Sequence, residues 1–171
     1  MDSDKYYTPQ WAIDAIMAEV RWNVVETFLE PCAGDGRIAD AVARTGQPVM
    51  ITQHEIDDGE DYLSFERQDL RYTLCVTNPP FSKWIEFAER ANFECWSIIM
   101  LGRLSMLGTQ KRRPFWNKHP LSHLWALSKR PSFDGPGAED NRASGTDNSE
   151  YAWFGWSADF VAVRPPGIYH L

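Results

Sequence analysis

The sequence has no run of eighteen apolar residues, so none of it is long enough to cross a bilayer as a helix. Its first residues, Met1-Asp2-Ser3-Asp4-Lys5, are polar, and no secretory signal is expected. Cysteine is scarce. Cys32, Cys75 and Cys95 are odd in number and lack metal-ligand spacing, so a reduced, cytoplasmic setting is expected, without a structural disulfide or a metal site. There is no internal repeat and no low-complexity tract. What is present excludes disorder: 43% of residues are hydrophobic, and 8 Trp, 9 Phe and 6 Tyr are too many for a solvated coil. A chain of 171 residues with this balance is expected to form one domain, residues 1–171, with a sizeable core.

One local absence is more telling. Residues 95–133 contain no Asp or Glu but seven basic residues: Arg103, Lys111, Arg112, Arg113, Lys118, Lys129 and Arg130. The whole chain has a net charge of -7, which argues against a generic nucleic-acid binder. The carboxylate-free block is nevertheless a candidate surface for a polyanion, with Arg103 and Lys111-Arg112-Arg113 as phosphate contacts. A solvated helix face is the alternative.

Strand and helix signals alternate along the chain. Thr8 is expected to cap a helix running through Trp11, Ile13, Ile16, Met17 and Val20, with Pro9 in its first turn. Strands are expected at Val24–Leu29, Val49–Ile56, Leu74–Thr77, Trp96–Leu101, His123–Leu127, Tyr151–Trp156 and Phe160–Val163. Helices are expected at Arg37–Arg44 and Lys83–Phe93, and a short one at Lys111–Lys118 broken by Pro114. The last two strands would form a hairpin turned at Ser157-Ala158-Asp159. Residues 135–149 read as an exposed loop that could recognise a target or contact a partner. The pattern is α/β with a largely parallel sheet. Trp116, Trp125, Trp153 and Trp156 are expected in the core or as loop anchors, and His119 and His123 as ordinary residues.

Glu30-Pro31-Cys32-Ala33-Gly34-Asp35-Gly36 joins the first expected strand to a helix. Gly34 and Gly36 permit positive φ and close approach of a ligand. The third glycine of a dinucleotide fingerprint is missing, and carboxylates flank the turn where a pyrophosphate would sit. Glu30 and Asp35 suit a ligand with a cationic group or hydroxyls. Glu55, about twenty residues on, is placed to accept hydrogen bonds from ribose hydroxyls, and Asp61 from an adenine amine. A tight turn with solvated acids is the alternative.

Asn78-Pro79-Pro80-Phe81 is the sharpest signal. The prolines fix φ and remove two donors. Asn78, preceding proline, is pushed toward an extended backbone. Its side-chain oxygen and the Pro79 carbonyl could converge on one NH₂ group, with Phe81 as a stacking face. An ordinary turn with a buried Phe is the alternative. Two acceptors pulling on the hydrogens of an aromatic amine restore lone-pair density to its nitrogen.

Together these residues resemble the S-adenosylmethionine-dependent amino-methyltransferases, most closely the small phage-type DNA adenine-N6 methyltransferases. The resemblance covers residues 6–94 well. It implies a Rossmann-like class I fold, with a seven-stranded mostly parallel sheet and an antiparallel final hairpin. It implies S-adenosyl-L-methionine as cofactor, held by Tyr7, Thr8, Pro9, Glu30, Pro31, Cys32, Ala33, Gly34, Asp35, Gly36, Glu55, Ile56, Asp61, Tyr62 and Asn78. Asn78, Pro79, Pro80 and Phe81 would form the catalytic tetrapeptide, and DNA (or RNA) would be the partner, in a bacterial or phage-infected cytoplasm. A flipped adenine would stack on Phe81. The same tetrapeptide serves RNA-base and protein-glutamine methyltransferases, which stay open as alternatives, as does a non-catalytic cofactor-binding module. After residue 94 little chain is left for target recognition once the sheet is complete.

Overall fold

Successive residues of the central strands point to opposite faces, and both faces are apolar. In the computed structural model, which describes residues 6–66, 71–133, 149–156 and 161–171, Phe28, Leu74, Val76, Ile99, Leu101 and Trp153 share one core. Leu29, Cys75, Ile98, Met100 and Phe154 share the other. This is the period-2 alternation of strands buried on both sides.

The seven strands are β1 (Thr27–Glu30), β2 (Met50–Gln53), β3 (Tyr72–Thr77), β4 (Cys95–Arg103), β5 (His123–Ala126), β6 (Tyr151–Trp156) and β7 (Gly167–His170), in the order β2-β1-β3-β4-β6-β5-β7. Pairings among β1 to β4 are parallel, β6 is antiparallel to both β4 and β5, and β7 runs parallel to β5. The sheet is thus seven-stranded and mostly parallel, with an antiparallel hairpin, β5–β6, in its C-terminal part. Helices α1 (Gln10–Met17) and α2 (Arg37–Arg44) cover one face through Ala12, Ile13, Ile16, Ile38 and Val42. Helix α3 (Trp84–Glu94) covers the other through Trp84, Phe87, Ala88 and Ala91, and α4 (Arg113–Lys118) adds Phe115 there.

Several local expectations need correction. Thr8 does not cap α1: Pro9 is the N-cap, and no side chain accepts there. Val24 lies in a 3₁₀ turn before β1, and Ile56 in one after β2. Pro114 opens α4 instead of breaking it, as suits a residue without an N–H at the first turn. Val161 to Val163 form no strand: Ala162 makes an isolated antiparallel bridge to Val20, and the last strand is Gly167–His170. The expected turn at Ser157-Ala158-Asp159, and all of the 135–149 loop except Ser149, lie outside the described residues.

The N-terminal segment is fastened to the C-terminal half. Trp153 Nε1 donates to the Ala12 carbonyl at 3.2 Å. The Arg21 N–H donates to the Val161 carbonyl at 2.8 Å, and that of Val163 to the Glu19 carbonyl at 2.9 Å. Buried Glu19 accepts from Trp125 Nε1 at 3.1 Å and pairs with Arg164 at 2.9 Å. Trp125 and Trp153 are fully buried and Trp156 nearly so; Trp116 is half-buried, with its indole N–H on the Met106 carbonyl at 3.0 Å. Among the described residues no helix is long and apolar enough to cross a membrane, and no cluster of His, Cys, Asp and Glu could hold a metal.

Candidate active site

Parallel strands end on the same side of a sheet, so the turns after β1, β2 and β3 meet at their carboxyl ends, where α/β folds bind ligands. Here they enclose a cavity of about 230 Å³. The first turn contributes Glu30, Pro31, Cys32, Ala33, Gly34 and Asp35; the second Glu55, Ile56, Asp61 and Tyr62; the third Asn78 and Pro80. Tyr7 and Thr8 close it from the N-terminal segment.

Gly34 and Gly36 have φ of 58° and 82°, the left-handed region that favours glycine. A side chain at Gly34 would meet the Tyr7 ring at 3.2 Å, so the glycine also admits the N-terminal segment. Glu55 fastens the second turn to the first. It accepts from the Gly34 N–H at 2.7 Å and from the Asp57 N–H at 3.3 Å. It lies beyond β2, which stops at Gln53.

The acids differ in state. Glu30 is 1% exposed and accepts from the Ala39 N–H in the first turn of α2 at 3.0 Å. Burial pushes its carboxyl well above the ordinary value, and the neighbouring charges of Asp35 and Glu55 add to this. Asp35 is engaged by Arg37, whose Nε lies 2.9 Å from each carboxylate oxygen. Its charge is therefore compensated within the protein and not reserved for a cationic ligand. Asp61 accepts from the Leu63 N–H at 3.0 Å through Oδ1, which orders the second turn. Burial raises the Cys32 thiol, so it stays protonated and fills space.

Arg37 is the residue sequence reading missed. Besides pairing with Asp35, it donates to the Thr8 carbonyl at 2.9 Å and holds its guanidinium 5.4 Å from the Tyr7 ring centre. It straps the N-terminal segment to the glycine turn. Its place two residues after Asp35 was the available signal. Tyr6, Ile38, Glu60, Ser82, Lys83 and Phe87 also line the cavity. Of these, Phe87 belonged to a helix face that reads simply as core, and Ser82 and Lys83 follow the tetrapeptide directly.

The third turn is held in a defined orientation. Asn78 Nδ2 donates to the Tyr6 carbonyl at 2.6 Å, which leaves Oδ1 as the acceptor of the amide. The Pro80 carbonyl accepts from the Lys83 N–H at 3.0 Å. Pro9, Gly36, Pro79 and Phe81 do not line the cavity. Instead, Phe81 packs among Tyr6, Phe133 and Tyr151, with ring-centre distances of 6.0, 6.4 and 5.8 Å. Arg103, expected on phosphate, lies 5.1 Å over the Phe81 ring and donates to the Tyr151 hydroxyl at 3.3 Å. Lys111 and Arg112 occupy a 3₁₀ turn beyond β4, and Arg113 starts α4. Arg112 donates to the Ser105 carbonyl at 3.1 Å, while Lys111 and Arg113 are exposed.

The cavity fits an adenosine bearing an amino acid. Glu55 and Asp61 offer acceptors along its wall, and Thr8 presents a buried hydroxyl with no hydrogen-bond partner among the described residues.

No protein-family model and no curated protein matches the chain. Solved structures do. A modification subunit of a putative type I restriction enzyme from Vibrio vulnificus YJ016 superposes with a TM-score of 0.64 at 13% identity, covering 99% of this chain and 47% of its own. This chain thus spans about half the length of that subunit. A predicted O-methyltransferase from Agrobacterium tumefaciens gives 0.56 at 10% identity, covering 100% and 84%. The plantazolicin methyltransferase BpumL, solved with SAH, gives 0.52 at 8% identity, covering 87% and 82%. At such identities the likeness speaks for the fold, and the chain carries the Rossmann-like fold of the S-adenosylmethionine-dependent methyltransferases.

Proposed function

We propose that the protein is an S-adenosylmethionine-dependent methyltransferase acting on the exocyclic N6 amine of adenine in DNA. The observation that carries this reading is the Asn78 amide. Its nitrogen is committed to the Tyr6 carbonyl, so its oxygen is the group available to an acceptor amine beside the cavity.

S-adenosylmethionine, when bound, supplies an electrophilic methyl group. The chain supplies the rest. Glu55 and Asp61 hold the nucleoside end, and Thr8 with the Arg37-strapped segment closes over the amino-acid end. Asn78 Oδ1 and the Pro79 carbonyl accept hydrogen bonds from the acceptor NH₂ and draw its lone pair out of the ring. Transfer of the methyl group to that nitrogen would leave it with a surplus proton, which would pass to solvent. No strongly basic side chain is required before attack.

DNA is favoured by three observations. Phe follows Asn-Pro-Pro, the 95–133 block has no carboxylate, and the Vibrio neighbour is a modification subunit. Within the block, Lys129 sits 4.5 Å from the Trp11 ring centre and Arg130 pairs with Glu150 at 2.9 Å. Lys111, Arg113 and Lys118 are exposed and are the phosphate contacts of this reading. Residues 135–149 are the proposed target-contacting segment.

The test is transfer of labelled methyl from S-adenosylmethionine to methylation-free DNA, total RNA and protein extract, each beside Asn78→Ala. Label in DNA as N6-methyladenine, lost in the variant, is expected. Label confined to RNA or protein refutes the acceptor, and cofactor binding without any label refutes the enzyme.

A further inference from the structure

The ring expected to receive a base is already stacked. Tyr6 lies nearly parallel to Phe81, with an interplanar angle of 17° and ring centres 6.0 Å apart. The other two rings around Phe81 cannot serve as stacking partners in this way: Phe133 stands at 71° and Tyr151 at 42°. Phe133 also meets Tyr6 edge-on at 5.8 Å and Tyr151 at 5.0 Å, so the four rings form a box, with Arg103 over the Phe81 ring.

A planar base cannot slide between Tyr6 and Phe81 as they stand. Two layers of optimal carbon contact need about 7 Å between parallel rings, and the centres are 6.0 Å apart. Of the box walls, Tyr151 is 3% exposed on β6, whereas Tyr6 and Phe133 are half-buried on irregular chain, and of these two only Tyr6 lies parallel to Phe81. Tyr6 is thus the wall that can turn aside. Its backbone need not move, because rotation about χ1 displaces the ring and leaves the carbonyl on Asn78.

We propose that the Tyr6 ring holds the place of the acceptor base on Phe81, so that acceptor binding is an exchange of one flat ring for another inside this box. The exchange rests on the functional reading above, since it assumes a planar acceptor beside Asn78. Its consequence is specificity by shape. An acceptor with a flat face repays the lost Tyr6–Phe81 stack, and an aliphatic amide such as glutamine does not. The main-chain half of Tyr6 meanwhile keeps Asn78 aimed throughout the exchange.

The probe is a single-stranded oligonucleotide with one 2-aminopurine, whose fluorescence falls on stacking. It is titrated into wild type, Tyr6→Ala and Tyr6→Leu in the presence of S-adenosylhomocysteine. An aromatic pair of this kind corresponds to about a two- to twelvefold change in affinity. Both variants are therefore expected to bind the probe about two- to twelvefold more tightly, with stronger quenching. Leu keeps apolar volume without a flat face, which guards against a collapsed Ala variant, and melting curves check that each variant is folded. Unchanged or weaker binding in both variants makes Tyr6 a fixed wall and overturns the exchange, as does absence of quenching in all three proteins. Tighter binding without methyl transfer to DNA by wild type overturns the functional reading alone. Transfer to DNA without the affinity gain overturns the exchange alone.

Discussion

Three glycines with positive φ allow the glycine turn to be tested against its own backbone strain. Gly34, Gly36 and Gly46 have φ of 58°, 82° and 70°. A Cβ in that region costs about 1–2 kcal/mol. For a domain of this size each kcal/mol lowers Tm by about 2–4 °C. All three Gly→Ala variants should therefore melt about 2–8 °C below wild type. They differ in what the new methyl meets. At Gly46 nothing lies within 4 Å, and at Gly36 the nearest atom is Gln53 Oε1 at 3.9 Å. At Gly34 the methyl meets Tyr7 Cδ1 and Cε1 at 3.2 Å. The ring would have to retreat by about 0.3–0.8 Å to reach ordinary carbon contact. It cannot do so independently, because Arg37 lies over it and is itself tied to Asp35 and the Thr8 carbonyl. Gly34→Ala should therefore displace the cavity wall and weaken cofactor binding at least about tenfold, or about 1.4 kcal/mol. Titration calorimetry with S-adenosylhomocysteine reads this directly. A Kd for Gly34→Ala within about twofold of that for Gly46→Ala would show that the Tyr7 wall is not part of the site.

Other perturbations separate the remaining roles. Asn78→Ala should lower turnover at least about a hundredfold with cofactor affinity near wild type, since its oxygen acts on the acceptor; parallel loss of cofactor affinity in calorimetry would contradict that. Arg37→Met should cost about tenfold in cofactor affinity by freeing the Thr8 carbonyl and Asp35, and unchanged binding would exclude the strap. Glu30 has its folded pKa raised above 4.5 by burial, so the folded chain holds this proton more tightly than the unfolded one. Its contribution to stability is then greatest below about pH 4.5 and is lost as pH rises through the folded pKa. Glu30→Gln should match wild type in Tm near pH 4 and exceed it by a margin that grows as pH rises above about 4.5 and levels off beyond the folded pKa; a constant difference across the range refutes this. Changing Lys111 and Arg113 together to Gln should reduce the slope of log K against log salt for duplex DNA by up to about 1.8. An unchanged slope moves the DNA surface elsewhere.

Where the local signal was strong, the sequence reading matched the chain closely. Helix Arg37–Arg44 starts after a glycine turn and β6 is a pure aromatic and small-residue run; both have the expected bounds. β7 was illegible because Pro165-Pro166-Gly167 punctuates its start, and Ile168 at 73% exposed does not look like a strand on a core. It exists because β5 offers an open edge. Gly34, Glu55, Asp61 and Asn78 are brought to one cavity, as their order after successive strands suggested. The surroundings of Phe81 could not be foreseen. Tyr6, Phe133 and Tyr151 reach it from distant parts of the chain, and no spacing rule links them.

The fastening of the first helix to the last third of the chain sets an order of assembly. The glycine turn, Glu55 and Asn78 all precede β4, so a growing chain holds them early in synthesis. The bonds that fasten α1 and the residues just after it depend on Trp153, Val161 and Val163, which are made late. A ribosome-bound chain stopped after α3 would thus carry every motif that marks the site in sequence, with Arg37 and Asn78 to hold the Tyr6–Thr8 segment, and still leave α1 without its partners on β6 and residues 161–163. Seating of α1 on the sheet should therefore wait until β6 and residues 161–163 have been made.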